Sequence, residues 1–276
     1  MKFYGLIGEK LGHSLSPAIH KKIGKIRNIN INYQLFEIEQ KNIESALYGL
    51  AALGAGGINV TIPYKVDVLS YSDSVSPEAA RIGSANTLSF HGKKISAYNT
   101  DYYGFTKSLE RYNAPVVGAR VLVLGDGGAA RSVCLALIDS GAREVVVASR
   151  KKGEKWFLVG EHRFEIISYD SLEIKGSWDI LVNTTPVGMF SGDNDCPVDH
   201  EIIENCSFVF DLIYNSLRTN LLKIADSLNI RNCNGLYMLI SQAAEAQRIW
   251  NKIELTECEI DEIYKEICTE ICTEII

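Results

Sequence analysis

Long apolar runs are missing from this sequence, and none approaches the roughly 18 residues that a membrane-spanning helix requires. Prolines are few, 6 in 276 residues, and 46% hydrophobic against 22% charged residues excludes an intrinsically disordered chain. Positive charge is not in excess either. The formal net charge of −6 excludes a general nucleic-acid binder, so any anionic ligand must be held by local cations. Residues 1–8 turn polar too soon for a signal peptide, so we expect a cytoplasmic protein that binds no membrane.

Cysteine pairs with metal-binding spacing are also missing. The seven cysteines are scattered, odd in number and without a C-x-x-C spacing. We therefore expect reduced thiols, and neither a disulfide framework nor a metal site. The length of 276 residues exceeds the usual size of one domain, which predicts two domains that each bury a core.

The sequence does contain a glycine-rich turn near its middle. A predicted strand at Arg120–Leu124 runs directly into Gly125, Gly127 and Gly128 and then into a predicted helix. Gly125 allows a tight turn, Gly127 leaves room for a pyrophosphate, and Ala130 lets the helix pack close to the strand. The N–H groups that begin such a helix bind phosphates. The turn predicts a dinucleotide site, and the alternative is a plain strand–turn–helix.

Apolar runs alternate with helix-like segments before this turn, which is typical of a mostly parallel sheet covered by helices. We predict strands at Phe3–Gly8, 33–38 and 57–62, helices at 16–28, 42–53, Pro77–Ile82 and 102–112, and a hairpin whose turn includes His91 and Gly92. Residues 119–232 repeat the alternation, with strands at 145–148, 180–182 and 208–214 and a helix at 132–138. This predicts a second, doubly wound unit that contains the glycine turn.

Two serines follow the first predicted strand. Ser16 is a good N-cap for the next helix, and Pro17 suits its first turn. Capping does not account for Ser14, whose hydroxyl would lie on the same side of an extended segment as that of Ser16. Two convergent hydroxyls would bind a carboxylate or a polyhydroxylated ligand, and the alternative is that they merely shape a turn.

Polar residues also follow the third predicted strand, which Pro63 ends. Thr61 and Lys65 lie near its carboxyl end, the edge of an open α/β sheet at which ligands bind. Asn86 and Asp101 flank the predicted hairpin. The alternatives are a solvated lysine at position 65 and a helix-capping aspartate at position 101.

Two cations follow the second strand of the nucleotide half. Arg150 and Lys151 stand where an acidic residue would bind the ribose 2′-hydroxyl of NAD. Cations suit a 2′-phosphate instead, so the predicted cofactor is NADP. The alternative is a solvated basic turn.

The C-terminal third carries two helical patterns. Residues 236–250 are expected to form a helix that returns the chain to the first domain. Isoleucines at helical spacing predict an amphipathic terminal helix over 258–276, whose cysteines pack and bind no ligand.

Six motifs occur in order along nearly the whole chain: Ser14-Leu-Ser16, Asn59-Val-Thr61-Ile-Pro63-Tyr-Lys65, Asn99-Thr-Asp101, Gly125-Asp-Gly127-Gly128-Ala129, Asn183-Thr-Thr185-Pro186 and Gly235-Leu-Tyr-Met238-Leu-Ile-Ser-Gln242. Together they resemble those of the shikimate dehydrogenase family. The resemblance implies a two-domain α/β fold, with an N-terminal substrate domain, a Rossmann-type doubly wound nucleotide domain and C-terminal helices that return to the first domain. It also implies NADP-dependent interconversion of 3-dehydroshikimate and shikimate, in the pathway to chorismate and the aromatic amino acids.

The resemblance assigns a role to each matching position. The implied substrate-binding residues are Ser14 and Ser16 for the carboxylate, Thr61, Asn86 and Gln242 for the hydroxyls, and Tyr214 for a further contact. The implied cofactor-binding residues are Gly125, Gly127, Gly128, Ala129, Arg150, Lys151, Ile213, Gly235 and Met238. Lys65 and Asp101 would form the catalytic pair.

Lys65 and Asp101 suit the chemistry of this reaction. Hydride reduction of a ketone leaves negative charge on its oxygen, so a proton donor is needed, and the same group must remove that proton in the reverse direction. We predict that Lys65 transfers the proton, directly or through water, while Asp101 positions it and binds a substrate hydroxyl. Their titrations would then be coupled.

Four features depart from the family pattern. Asp126 occupies a turn position that is usually small and neutral, and its acid would repel a pyrophosphate unless the side chain points away. Ser149 and Lys151 replace the asparagine and threonine that are common around the arginine. Tyr237 stands where glycine is common, and Ser216 where proline is frequent, which predicts a nicotinamide pocket of different shape.

We expect a substrate domain at 1–103, an NADP domain at 104–237 and C-terminal helices at 238–276, with the active site in the cleft between the two domains. The expected partner is a small-molecule substrate, and the chain would be a monomer or a homodimer. The alternatives are an enzyme acting on quinate with NAD, a non-catalytic regulator that binds NADP or shikimate, and a folate-linked dehydrogenase. Retention of Lys65 and Asp101 argues against a regulator, and the paired serines suit a small carboxylate better than a pterin.

Overall fold

The structure is a computed structural model that describes residues 2–12, 14–151, 153–172, 177–189 and 195–274. The chain divides into two compact units. The first unit comprises Met1–Gly104 and Ile240–Ile276, and the second comprises Phe105–Leu239. Each unit contains one sheet.

The strands in chain order are β1 Phe3–Gly8, β2 Tyr33–Glu37, β3 Ala55–Val60, β4 Ser74–Val75, β5 Thr87–His91, β6 Lys94–Tyr98, β7 Arg120–Leu124, β8 Glu144–Ala148, β9 Trp156–Val159, β10 His162–Ile167, β11 Ile180–Asn183, β12 Phe208–Asp211 and β13 Arg231–Cys233. The α-helices are α1 Ser16–Ile26, α2 Ile43–Ala52, α3 Pro77–Ile82, α4 Thr100–Arg111, α5 Gly128–Asp139, α6 His200–Ile203, α7 Asn220–Ser227, α8 Leu236–Asn251 and α9 Glu257–Glu274. Every predicted strand and helix is present, with its ends displaced by at most a few residues.

The sheet of the first unit has the strand order β2-β1-β3-β5-β6-β4. β1 pairs in parallel with β2 and β3, and the connecting helices α1 and α2 make these crossovers possible. β4 also pairs in parallel with β6, whereas β5 pairs antiparallel with β3 and with β6, so the sheet is mixed with three parallel pairings and two antiparallel ones. The hairpin turn lies at Gly92 and Lys93, because His91 is still the last residue of β5. Gly92 has a φ of +63°, a geometry that tight hairpin turns favour.

The sheet of the second unit has the order β13-β12-β11-β7-β8-β10-β9, and its neighbouring strands are parallel except for β9 and β10. The order reverses at β7, since β8 lies on one side of it and β11 on the other. Ligands of open α/β sheets bind outside the carboxyl ends of the strands at such a reversal. The glycine-rich turn directly follows β7, and the doubly wound prediction is confirmed.

The hairpin of β9 and β10 is not among the predicted elements. Phe157 and Val159 of β9 are buried, whereas Trp156 and Leu158 are exposed. Because the exposed positions are apolar too, the strand lacks the apolar–polar alternation by which a half-buried strand is recognised.

Helix α8 packs on the sheet of the first unit. The Trp250 indole Nε1 donates to the Leu88 carbonyl oxygen at 2.9 Å. A Cβ at Gly57 would lie only 2.0 Å from that nitrogen. Glycine in β3 therefore makes room for the indole ring, and the predicted return of the chain to the first unit is confirmed.

Helix α9 packs against α1 in the same unit. Lys22 Nζ lies 2.6 Å from Glu266 Oε2 and 2.7 Å from Glu270 Oε1. Arg27 pairs with Glu259 and lowers the pKa of that carboxyl to about 2. The apolar stripe of the helix is buried and consists of Ile260, Ile263, Ile267 and Ile271. The predicted amphipathic helix is confirmed, and its last two predicted residues lie outside the described ones.

All seven cysteines lie in the described ranges, and all are free thiols. Burial raises the pKa of Cys206 to about 12. The prediction that the cysteines of the terminal helix pack is wrong for Cys258 and Cys272, which are exposed. Among the helices that the structure describes, none is long and apolar enough to cross a membrane.

Candidate active site

The candidate residues of the first unit lie at one edge of its sheet. β1 and β3 are parallel, so their carboxyl ends share that edge and lead to the serines and to Lys65 respectively. β5 is antiparallel to β3 and therefore begins at the same edge, directly after Asn86. β6 is antiparallel to β5 and ends there, two residues before Thr100. The topology thus gathers residues that are far apart in the sequence.

Lys65 and Asp101 form an ion pair at this edge. Lys65 Nζ lies 2.6 Å from Asp101 Oδ2, and the two side chains are only 13% and 11% exposed. Removing one partner of a pair this well buried costs roughly 3–5 kcal/mol, since the other charge is left without compensation. The alternative of a solvated lysine is therefore wrong.

Asp101 does not cap α4. The helix begins at Thr100, and Asn99 Oδ1 accepts a hydrogen bond from the Tyr102 N–H at 3.1 Å. Asn99 therefore takes the capping role. The second oxygen of Asp101, Oδ1, accepts from Asn86 Nδ2 at 2.8 Å. The capping alternative for Asp101 is wrong, and both of its oxygens belong to the site.

The Asn86 carboxamide is held on both sides. Its Oδ1 accepts from the Thr100 N–H at 2.6 Å, which fixes which end of the amide is oxygen. Its Nδ2 then donates to Asp101 Oδ1 and, at 3.4 Å, to Gln242 Oε1. Both amide protons are directed at protein oxygens, so Asn86 orients Asp101 in this structure. Its contact with a substrate hydroxyl stays a prediction.

Buried polar side chains near Asn86 form a hydrogen-bonded network. Thr87 Oγ1 lies 3.0 Å from Thr100 Oγ1 and accepts from Asn59 Nδ2 at 2.9 Å. Asn59 Oδ1 in turn accepts from the Tyr33 hydroxyl at 2.8 Å. Thr87 and Thr100 are not among the predicted site residues, and the signal that could have found them is that each adjoins a predicted site residue, Asn86 or Asp101.

Two predicted substrate-binding residues keep polar atoms available. Gln242 Oε1 accepts from Thr100 Oγ1 at 3.2 Å, whereas its Nε2 has no acceptor among the described residues. The Thr61 N–H donates to the Ile7 carbonyl oxygen, while the Thr61 hydroxyl meets no partner in the described ranges. Such atoms are what a hydroxyl-rich ligand requires.

The two serines adopt a geometry that differs from the predicted one. α1 begins at Ser16, and the N-cap position is Leu15, whose φ of −77° and ψ of −9° are helical. Ser14 Oγ accepts from the Ser16 N–H at 3.3 Å and so serves the first turn of the helix. The prediction that Ser16 caps α1 is wrong. The prediction that an extended segment places the two hydroxyls on the same side is also wrong. Side chains alternate in that way only along an extended backbone, and Leu15, between the two serines, is helical.

The glycine turn of the second unit has two kinds of glycine. Gly125 has a φ of +99°, and a Cβ there would lie 2.9 Å from Thr184 Oγ1. A Cβ at Gly127 would meet no described atom within 4 Å, so packing does not require glycine there. No side chain caps α5, which begins at Gly128, and the buried Ala130 packs the helix against the unit. The first N–H groups of α5 are therefore a potential phosphate site.

Arg150 follows β8 and lines a cavity of about 420 Å³. The wall of this cavity also includes Lys151, Tyr169 and the acids Glu154 and Asp170. Burial raises the pKa of Tyr169, and the positive charge of Arg150 opposes this shift. Cations on the wall of a cavity favour a phosphate site over a solvated turn.

The remaining predicted cofactor residues follow β12 and β13. Ile213 and Met238 are buried. Burial also raises the pKa of Tyr214, which is a predicted substrate-binding residue of the same segment. A Cβ at Gly235 would lie 1.9 Å from the Leu212 carbonyl oxygen. Packing against Leu212 therefore requires glycine at position 235, whatever this residue does for a cofactor.

Asp211 is a buried carboxyl that no prediction included. It accepts hydrogen bonds from Thr219 Oγ1 at 2.6 Å, from Asn183 Nδ2 at 3.0 Å and from the Ile213 N–H at 3.2 Å. It thereby connects the end of β11, the segment that follows β12 and the residue before α7. Burial outweighs these three donors and raises the pKa of Asp211 to about 6.

Comparison with known proteins identifies the family. The family described as the shikimate dehydrogenase substrate binding domain matches residues 6–88. Over 263 residues the chain is 43% identical to the NADP(+) shikimate dehydrogenase of Clostridium beijerinckii, and the match covers 95% of this chain and 94% of the relative. The chain belongs to the shikimate dehydrogenase family.

Solved structures of shikimate dehydrogenases share the fold. Shikimate dehydrogenase 1 of Peptoclostridium difficile has 39% identity and a TM-score of 0.91, and the match covers 98% of this chain and 99% of that chain. The Thermus thermophilus enzyme, in complex with NADP(H) and shikimate, has 28% identity and a TM-score of 0.81 over 96% of this chain and 99% of its own. The predicted two-domain α/β fold is confirmed.

The residues of the second unit fit the NADP of this family. The N–H groups at the start of α5 and the space beside Gly127 suit a pyrophosphate, and Arg150 suits a 2′-phosphate. Asp126 does not suit a phosphate. Its carboxylate, however, lies 2.8 Å from Lys151 Nζ, which compensates the charge.

Asp211 should make stability depend on pH. Its pKa rises from the usual 3.8 to about 6 in the folded state, so the stability it contributes is complete below the lower value and is lost as the pH rises through the higher one. Asp211→Asn should remove this dependence. In urea unfolding, the stability of wild type relative to the variant should fall by roughly 3 kcal/mol between about pH 3 and pH 7.

The matched control is Asp199→Asn, since Asp199 is exposed and its side chain makes no cap hydrogen bond to α6. This control should follow wild type at every pH. A constant difference between wild type and Asp211→Asn would mean that the three donors hold the pKa of Asp211 near its usual value.

Proposed function

We propose that the protein catalyses the reversible NADPH-dependent reduction of 3-dehydroshikimate to shikimate, a step in the pathway to chorismate and the aromatic amino acids. The relative from C. beijerinckii carries the name of this activity, and the T. thermophilus structure contains both NADP(H) and shikimate. Identity of 43% over nearly the full length of both chains supports the same activity here.

The observation that carries the proposal is the Lys65–Asp101 pair. The pair is buried at the carboxyl edge of the sheet, with 2.6 Å between Nζ and Oδ2. Burying two charges costs several kcal/mol per ion before their attraction is counted, so stability alone is a weak reason to keep such a pair. A proton donor for an alkoxide oxygen is a sufficient reason.

Lys65 is the proposed proton donor. The chemistry that NADP supplies when bound is hydride transfer, to the ketone carbon of 3-dehydroshikimate or back from shikimate. As the carbonyl π bond breaks, its electrons move to oxygen, and the Lys65 ammonium gives one proton to that oxygen and becomes an amine. In the reverse direction the amine takes the hydroxyl proton. Asp101 keeps the nitrogen in place, and Asn86 holds Asp101.

The other groups of the first unit bind the substrate in this proposal. Ser14 and Ser16 hold the carboxylate, and the available atoms of Thr61 and Gln242 bind ring hydroxyls. Tyr214 adds a further contact. Asn86 reaches a substrate hydroxyl only by giving up its bond to Gln242, since its second proton is directed at Asp101.

The activity itself is tested by oxidation of shikimate and of quinate, each with NADP⁺ and with NAD⁺. Shikimate with NADP⁺ should give the highest kcat/KM, because cations follow β8 where an acid would favour NAD. Quinate with NAD⁺ as the best pair would replace the proposed activity by NAD-dependent oxidation of quinate.

Lys65→Met should lower kcat by roughly 10²–10⁴-fold, the usual contribution of a general acid or base, with a smaller change in the KM for shikimate. Methionine keeps a similar length and removes the charge and the protons. Steady-state kinetics with shikimate and NADP⁺ measure the effect, and Lys93→Met in the hairpin turn is the control. A kcat within a few-fold of wild type, with only KM raised, would make Lys65 a binding residue.

Arg150→Ala should weaken NADP⁺ binding by roughly ten- to a hundredfold, because one charge-assisted hydrogen bond is worth about 1.5–3 kcal/mol. NAD⁺ lacks the 2′-phosphate, so its binding should change little. Titration calorimetry with each cofactor measures both values. Unchanged NADP⁺ binding would remove Arg150 from the site.

A further inference from the structure

Asp126 and Lys151 form an ion pair that joins the turn after β7 to the loop after β8. Asp126 Oδ2 lies 2.8 Å from Lys151 Nζ, and the two side chains are 19% and 58% exposed. The carboxylate raises the pKa of Lys151, so the lysine is charged at neutral pH. Each residue is a departure from the family pattern, and the structure brings the two departures together.

The neighbouring arginines do not replace Lys151 in this pair. Arg131, in the first turn of α5, donates from Nη1 to the Leu158 carbonyl oxygen at 2.8 Å and lies over the Phe157 ring. Arg150 forms no ion pair with any described residue. Lys151 is thus engaged by Asp126, whereas Arg150 keeps its charge for a ligand.

Asp126 lies at a place where its negative charge opposes the binding of a phosphate. The residue directly precedes Gly127, the N-cap of α5, where the helix dipole and the N–H groups favour an anion. A carboxylate at this place competes with a pyrophosphate for the same favourable potential and repels it. Its pairing with Lys151 reduces the repulsion, and it also withholds Lys151 from the phosphates.

We propose, on the basis of the NADP-dependent function proposed above, that the Asp126–Lys151 pair limits cofactor affinity and sets cofactor preference in this enzyme. Asp126 retains Lys151 and leaves Arg150 as the cation that distinguishes NADP from NAD. The net charge of the pair then controls binding. That charge is zero when both residues are present and when both are neutral, positive when only Asp126 is removed, and negative when only Lys151 is removed.

The test is a double-mutant cycle on the full chain, with dissociation constants for NADP⁺ and NAD⁺ measured by titration calorimetry without substrate. Asp126→Asn should tighten NADP⁺ binding by roughly three- to tenfold and NAD⁺ binding by less, because the freed Lys151 meets a 2′-phosphate only in NADP⁺. Lys151→Met should weaken NADP⁺ binding by a similar factor. The double variant should return close to wild type for both cofactors.

Two controls separate the ion pair from general electrostatics. Asp170→Asn removes one negative charge from the wall of the same cavity without freeing Lys151, and should change NADP⁺ affinity by less than about twofold. Raising the salt concentration to about 0.5 M should reduce the gain of Asp126→Asn, since exposed charges are screened. An equal gain in Asp170→Asn would overturn the inference, because bulk charge would then suffice.

The remaining outcomes are also decisive. If Asp126→Asn binds NADP⁺ no more tightly than wild type, or if the double variant binds much more weakly, the pair is a structural brace and the inference fails. If wild type binds NADP⁺ but the affinities of the variants do not follow the expected order, this inference alone is overturned. Wild type that binds neither cofactor overturns the proposed function together with it.

Discussion

The first unit is organised around the need to compensate one buried carboxylate. A charge removed from water is tolerated only when it is paired and hydrogen-bonded, and Asp101 meets this condition with a cation on one oxygen and an amide on the other. Lys65 and Asn86 therefore have to be held in position. Asn86 is held by the first N–H of α4 and by Gln242 of α8, so the two helices and the strand ends depend on a single network.

The second unit also contains a buried carboxyl, which the described residues compensate by hydrogen bonds and not by a cation. Asp211 has three hydrogen-bond donors, and the structure records no ion pair for it within the described ranges. Burial therefore dominates and raises its pKa. The donors come from the last residue of β11, from the segment that follows β12 and from the residue before α7, and one of them, Ile213, is also assigned to the cofactor. In both units, a buried carboxyl at or near the carboxyl end of a strand is hydrogen-bonded to residues of other chain segments.

Local patterns in the sequence were enough for most of the fold. Hydrophobic periodicity predicts β1, α1 and α9 because it depends only on which side of each element is buried. Motif order predicts the family, and the resemblance to that family predicts the pairing of Lys65 with Asp101. Strand β9 of the second unit was not predicted because its exposed positions, Trp156 and Leu158, are apolar like its buried ones, so no apolar–polar alternation is present.

The details of the site depend on contacts between distant segments, and these could not be read from local patterns. Capping was expected from Ser16 and was an alternative for Asp101, yet Ser14 and Asn99 supply the acceptors. Both errors are shifts of two residues, a distance over which several polar residues compete for the same N–H groups. The saturation of the Asn86 amide needs partners from α4 and α8, and no property of position 86 itself encodes them.

Asp126 and Lys151, two departures from a family motif, also depend on a contact between distant segments. Judged separately, an acid in a phosphate-binding turn is unfavourable and a lysine in place of threonine is an added charge. In the folded chain the two charges lie 2.8 Å apart and largely cancel, so the electrostatic environment of the turn is close to that of a neutral residue. The pair is still not equivalent to a neutral residue, however, because a paired lysine is less available to a ligand than a free one. Substitutions in a binding motif are therefore best assessed as spatial pairs, since the field at the ligand depends on their sum and the available donors depend on their pairing.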